Sequence, residues 1–247
     1  MKFFLWVIGL FILPGAAFAC WNGFLLVAGA DGIWPPLSIG FVVGLALYGL
    51  LSRIPVLDVF HHEAAHGIMS LLFFRRITRF MVSRGGGYVE YTGGGALGNE
   101  LIGLAPYFFP VVTLAVAFAR PALGAGWFPW YDVLIGLSLA SHSWSVIANT
   151  KGNWHKRRVS PGVAGIRMMS DIGRSGYIFA GIMILSLTLL FFGAIFYVLA
   201  AGYRGMATCM YEIVTQSVGV YSPLLHWVGR AAREQIVPRI IHFFGPS

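Results

Sequence analysis

Five long stretches of this chain carry no charge, and that absence decides most of what it can fold into. Residues 3–30, 32–52, 101–119, 133–150 and 175–203 contain no Asp, Glu, Lys or Arg. About 20 helical residues cross a hydrocarbon core, so uncharged runs of this length read as membrane-spanning segments. Charged residues make up only 11% of the chain, against roughly a quarter in soluble domains, which leaves too little polar surface for a water-soluble fold. The expected fold is an all-α polytopic membrane protein. About six transmembrane segments are expected, at 3–30, 37–52, 55–74, 101–119, 131–149 and 177–202. The stretch 37–74 is divided because a single helix of that length, at about 1.5 Å per residue, would reach nearly twice the hydrocarbon thickness. Ser52-Arg53-Ile54-Pro55 is the natural break, since proline restricts the residue before it.

The segment 55–74 differs from the others. It is apolar except for Asp58 and the run Phe60-His61-His62-Glu63-Ala64-Ala65-His66. Ionisable groups inside a membrane segment are costly and read as functional by default. His62-Glu63-Ala64-Ala65-His66 matches H-E-x-x-H. Residues four apart share a helix face, so both imidazoles can bind one zinc ion while Glu63 reaches a water on the metal. Zinc lowers the pKa of such a water to about 7, and the glutamate can take its proton and hand it to a leaving amine. His61 points roughly 100° away from His62 and reads as an interhelical or interfacial histidine. Asp58 lies one turn before His62, either as an acceptor for its free ring N–H or simply at the helix entrance.

A catalytic zinc usually takes three protein ligands and leaves one position for water. Two residues elsewhere suit the third position. Asp171, in Met168-Met169-Ser170-Asp171-Ile172-Gly173, precedes the last uncharged segment. His142, in Ala140-Ser141-His142-Ser143-Trp144, is the alternative third ligand.

The seventeen basic residues set an expected orientation. Arg75, Arg76, Arg79 and Arg84 fall in the 75–100 loop, and Lys151, Lys156, Arg157, Arg158, Arg167 and Arg174 in the 150–176 loop. The positive-inside rule makes that side cytoplasmic, and six crossings then place both termini on the far side. No basic face with interleaved polar and aromatic residues marks a nucleic-acid partner. Two cysteines, Cys20 and Cys209, exclude a disulfide scaffold and a thiolate zinc ribbon. The start of the chain resembles a signal peptide, with Ala17-Phe18-Ala19 before Cys20, but its apolar run continues through Leu25-Leu26-Val27. A retained first span is the expectation. In the 75–100 loop, Arg84-Gly85-Gly86-Gly87 and Thr92-Gly93-Gly94-Gly95 bracket the strand-like Tyr88-Val89-Glu90-Tyr91. It is either a plain hairpin connector or an edge for an extended peptide. Residues 203–247 are expected to form an amphipathic tail on the membrane surface, separate from a transmembrane unit at 1–202.

A membrane helix bearing H-E-x-x-H followed by Gly67, a glycine-rich hairpin-like loop and a later aspartate near a helix end resembles the site-2-protease class of intramembrane zinc metallopeptidases. The likeness covers roughly residues 55–200 and is nearest the compact bacterial branch without a PDZ insertion. It implies that His62, His66 and Asp171 bind zinc and that Glu63 is the general base. It also implies that residues 85–95, with Gly86, Gly87, Tyr88, Val89, Glu90 and Tyr91 at their centre, hold the substrate strand. Ser170-Asp171-Ile172-Gly173 only approximates the family's Asn/Leu-Asp-Gly setting. The expected activity is intramembrane hydrolysis of a peptide bond in a membrane-protein substrate, in the lipid bilayer of a bacterial inner membrane. The alternative is a catalytically silent subunit of a larger membrane complex, docking through its basic loops or its tail. A transporter would need ionisable residues in several spans, and apart from His142 the other spans offer almost none.

Overall fold

A computed structural model of the chain describes residues 2–51, 55–155 and 171–231. Among them the elements run α1 (Lys2–Ala28), α2 (Trp34–Leu51), α3 (Pro55–Leu72), β1 (Arg76–Ser83), β2 (Gly86–Thr92), α4 (Ala96–Phe108), α5 (Val111–Ala119), α6 (Phe128–His155), α7 (Asp171–Ser175), α8 (Tyr177–Ala201) and α9 (Tyr203–Ala231). The chain is mostly helical. Lys156, Arg157, Arg158 and Arg167 of the second basic loop, and the last residues of the expected tail, lie outside the described residues.

Among the described residues two helices, α1 and α8, are long and apolar enough to cross a membrane. A third candidate is broken: residues 98–108 and 111–122 are bent by 78°. Pro110 sits at the break and has no N–H to donate, so the helical ladder stops there. Two of the other expected segments are less apolar: α3 carries Asp58 and Glu63, and α6 holds Asp132 and a row of serines. α2 carries no charge over Trp34–Leu51.

Glycines let the helices meet closely. A Cβ on Gly40 would lie 2.0 Å from the carbonyl oxygen of Val133, and one on Gly136 would lie 2.1 Å from that of Leu37. α2 and α6 therefore touch backbone to backbone, as small residues permit between apolar helices. Gly15 lies equally tight on Ile213, which joins α1 to α9.

These contacts also fix helix directions. Lys2 reaches Glu100 at 3.1 Å and the carbonyl of Arg174, Ser186 donates to the carbonyl of Gly9, and Gly23 packs on Phe196 and Tyr197. α1 and α8 thus run parallel. Six segments each traversing the bundle would make the first and sixth antiparallel, so one expected traverse is missing. It is α3. α2 leaves the end where α1 finishes, with Trp34 against Phe24, and α4 begins beside Lys2, so α3 starts and ends in the same half. The expectation that the N-terminus lies opposite the basic loops is overturned. Lys2 sits at the same end as Glu100 and Arg174 because α3 turns back into the hairpin instead of crossing.

α9 covers the first part of the expected tail, Tyr203–Ala231. It runs antiparallel to α8 with Gly205 on Tyr197, and the Tyr221 hydroxyl donates to the carbonyl of Leu10. One face is therefore spent on α1 and α8, while Tyr211, Val214, Val218 and Trp227 stay exposed.

At the other end, Arg120 and Asp132 form a buried two-pronged ion pair, Nε–Oδ1 2.6 Å and Nη2–Oδ2 3.1 Å, and Arg120 Nη1 donates to the carbonyl of Leu199. Charge-assisted bonds in a fork of this kind fix both distance and orientation. They tie the end of α5 to the start of α6 and the finish of α8. The main core lies toward the opposite end, where Ile102, Leu104, Tyr107 and Phe108 of α4 pack with Ile172, Met183 and Ala65.

Candidate metal centre

α4 places a backbone carbonyl and an aromatic ring against the H-E-x-x-H face of α3, and α7 brings a carboxylate to it. His66 Nδ1 lies 2.6 Å from the carbonyl oxygen of Ile102. A carbonyl only accepts, so Nδ1 must be the protonated nitrogen and the lone pair of a neutral His66 sits on Nε2. That is how metal-binding histidines are usually oriented. His62 stands edge-on to Tyr107, ring centroids 5.9 Å apart at 90°. Its Nε2 is 3.2 Å from Nε2 of His66.

Asp171 completes a triangle, with Oδ2 3.6 Å from His62 Nε2 and 3.7 Å from His66 Nε2. Both distances are too long for hydrogen bonds. A tetrahedral zinc with bonds of about 2.0–2.1 Å separates its ligand atoms by roughly 3.3 Å, so the triangle has the size a zinc ion demands. Among the described residues, this is the one group of three or more His, Cys, Asp or Glu side chains arranged to hold a metal. Burial works against ionisation of Asp171, but the neighbouring imidazoles prevail and hold its carboxyl well below the usual carboxylate range. The site therefore offers two imidazoles and one anionic oxygen, a donor set that fits zinc.

Glu63 is buried, 7% exposed, beneath the hairpin. β1 and β2 pair antiparallel with Arg76 opposite Thr92 and Ser83 opposite Gly86, and Thr78 is the extra residue of an irregularity between Ile77 and Arg79. Gly86 takes φ +139°, which favours glycine, to enter β2. Gly87 lies flat on α3: a Cβ there would come 2.6 Å from Glu63 Cγ and 2.9 Å from Val59 Cγ1. Gly67 faces Ile77 and Phe80 of β1 at ordinary van der Waals distance. Arg75 anchors the hairpin base, bonding to the Asn99 side chain and the Gly95 carbonyl and lying 5.0 Å from the centre of the Tyr91 ring.

A substitution follows from this packing. Gly87→Ala is expected to lift the hairpin off Glu63 and Val59, and overpacking of this kind typically costs about 1–3 kcal/mol. Thermal unfolding of Gly87→Ala should therefore occur at a lower temperature than that of the wild-type protein.

The expected site residues separate into two groups. His62, His66, Asp171, Glu63 and Gly86–Gly87 are brought together. Tyr88, whose hydroxyl accepts from Arg79 at 3.3 Å, and Val89, Glu90 and Tyr91 continue the same strand away from Glu63. His142 is not in the triangle; it lies on α6 against His61 and Phe192, ring centroids 6.1 and 6.2 Å. Asp58 does not receive the His62 N–H; it accepts from the Tyr48 hydroxyl at 2.7 Å and from Ser145 Oγ at 3.2 Å. The carbonyl of Ile102 had no signal in the sequence, since any residue could supply it. β1 did have one, because Arg76-Ile77-Thr78-Arg79-Phe80-Met81-Val82 is rich in strand-favouring side chains. Comparison of the chain with protein-family models, with curated proteins and with solved structures finds no match.

Proposed function

We propose that this chain is a membrane-embedded zinc endopeptidase, similar to the site-2-protease class, which cuts a peptide bond of a membrane-protein substrate. The observation that carries the reading is the triangle of His62, His66 and Asp171, sized for zinc, with Glu63 next to His62 on the same helix and a hairpin lying on its side chain.

His62, His66 and Asp171 would hold the ion. Zinc supplies Lewis acidity there, polarising the scissile carbonyl and acidifying a water molecule. Glu63 takes a proton from the attacking water as the C–O bond forms and delivers it to the amine nitrogen as the C–N bond breaks. The substrate must be extended to expose its carbonyl, because a helix ties up its own backbone groups. Gly86 to Tyr91 offer strand backbone for that purpose, and Gly87 seats that strand directly against Glu63.

In this reading six helical segments cross the bilayer: α1, α2, the bent α4–α5 pair, α6, α8 and α9. Successive members alternate in direction, and α3 with the hairpin enters and leaves from one side. Lys2, Arg75, Arg76 and Arg174 gather at that side, which the positive-inside rule makes cytoplasmic. A bacterial plasma membrane is the expected location.

The test uses purified full-length protein in vesicles with a mixture of single-span membrane proteins, reading new termini by mass spectrometry. Zinc-loaded protein should create new termini, a strong chelator should stop this, and stoichiometric zinc should restore it. Identical termini from loaded and stripped protein would overturn the proposal.

A further inference from the structure

α3 presents a third face that the proposed chemistry does not use. His62 and His66 turn toward Asp171, and Val59, Glu63 and Gly67 meet the hairpin. Asp58 and His61 look instead toward α6. Asp58 accepts from Tyr48 and Ser145, and Ser145 Oγ in turn accepts from the Asn149 amide at 3.0 Å. One turn along both helices, His61 faces His142 with ring centroids 6.1 Å apart and planes at 63°. Two pairs three residues apart on each helix thus build a polar seam between α3 and α6.

Within that seam the hydrogen bonding is incomplete. His142 is 1% exposed, and neither of its ring nitrogens has a hydrogen-bond partner among the described residues. On the neighbouring face of α3, Nδ1 of His62 is buried and has no partner among the described residues. Every imidazole, whatever its protonation, has at least one N–H to donate. Buried polar atoms in folded proteins are almost always satisfied, and where no protein group serves, an internal water making two to four bonds does. The seam is polar on both walls, with Asp58, His61 and Ser145 beside His142, so it suits water rather than a dry cavity. The two histidines of the triangle also differ: the Ile102 carbonyl orients His66 through Nδ1, but no group among the described residues does so for His62.

We propose that the α3–α6 seam is an internal water site in which His142 positions a water, and that this water gives His62 Nδ1 the partner that Ile102 gives His66. His142 is then a positioning residue for the metal centre. It acts on the orientation of His62 and so on metal affinity. This role rests on the zinc reading above, whereas the hydration of the seam does not.

Two measurements separate those levels. X-ray radiolytic footprinting of the intact, metal-free protein labels residues that touch bound water. His142 should be oxidised readily while Tyr107 and Phe108, equally buried, stay unmodified. Cobalt and zinc titrations of His142→Phe and His142→Gln then test the coupling. Loss of a group that orients a ligand typically costs roughly 10–100-fold in metal affinity, expected for the Phe variant, while the Gln variant, still able to bind water, should stay within about threefold of wild type. The cobalt absorption spectrum should shift in His142→Phe, a change that loss of packing alone would not produce in a protein melting like wild type. If His142→Phe fails to fold, footprinting and the Gln variant still decide. Protection of His142 to the level of Phe108 overturns the water site. Wild-type metal affinity in a folded His142→Phe protein overturns its link to His62. Neither readout needs a substrate, so absence of proteolysis would count against the peptidase reading and leave this one standing.

Discussion

Glu63→Gln is expected to end turnover while zinc stays bound. The substitution keeps the side chain's length and volume beneath the hairpin, so the contact with Gly87 and the burial of residue 63 persist. What it removes is the ability to accept a proton from the attacking water and to pass one to the leaving amine. General acid–base groups contribute typically 10²–10⁴-fold, and in the proposed mechanism one carboxylate serves both transfers, so a loss of about 10³-fold or more in kcat is expected. Elemental analysis should still find the wild-type zinc content, because residue 63 is not part of the metal-holding triangle. Turnover surviving in Glu63→Gln would remove the general-base role. A membrane-complex subunit without catalysis would show no cleavage in either form, which distinguishes it from a peptidase whose base has been deleted.

The residues of this site were unevenly legible in the sequence. His62, Glu63 and His66 could be read directly, since helical periodicity alone places positions 62 and 66 on one face. Asp171 could be read only as a nearby carboxylate at the mouth of an uncharged helix. Its approach to the two imidazoles depends on α7 and α4 packing together, with Ser175 bonding to Glu100 at 2.8 Å. That is a tertiary fact without a local signature. The hairpin was half legible: glycines announced the turn, but its register and its seat on Val59 and Glu63 are set by side-chain volume on α3.

The direction of α3 was misread for a physical reason. α3 is less apolar than α1 or α8, but Asp58 and the His61–His66 run are also what a span with an intramembrane site would carry, so composition does not tell a crossing segment from one that enters the bundle and turns back. The distinguishing evidence is distributed. Arg75 ties the end of α3 to the start of α4, Lys2 binds Glu100, and α1 lies parallel to α8. The broken α4–α5 segment was read as one span for a similar reason, because Pro110 inside an apolar run does not reveal the size of the bend it causes. These two departures flank the candidate metal centre, where polar side chains are brought together at some cost to regular packing.

Removing Asp171 should have the second largest effect, and comparing three variants separates its charge from its geometry. In Asp171→Ala the anionic oxygen is gone, and two imidazoles at 3.2 Å remain. A catalytic zinc normally has three protein ligands. Loss of one should lower zinc affinity by more than about 10²-fold, the upper range seen when groups that merely orient ligands are lost. Zinc should therefore fall from about one per chain to well below stoichiometric after dialysis, since the site is built for three protein donors. Asp171→Asn retains an oxygen at nearly the same place without its charge. The wild-type carboxyl is held far below the usual carboxylate range by the two imidazoles, so it is anionic at neutral pH and the Asn variant tests that charge. An Asn variant with affinity between those of Ala and wild type means that charge and position both matter. An Asn variant as weak as Ala means that the anion itself holds the metal. Retention of full zinc by Asp171→Ala, together with loss in His62→Ala/His66→Ala, would exclude Asp171 as a ligand, and with it the triangle on which the peptidase reading is built.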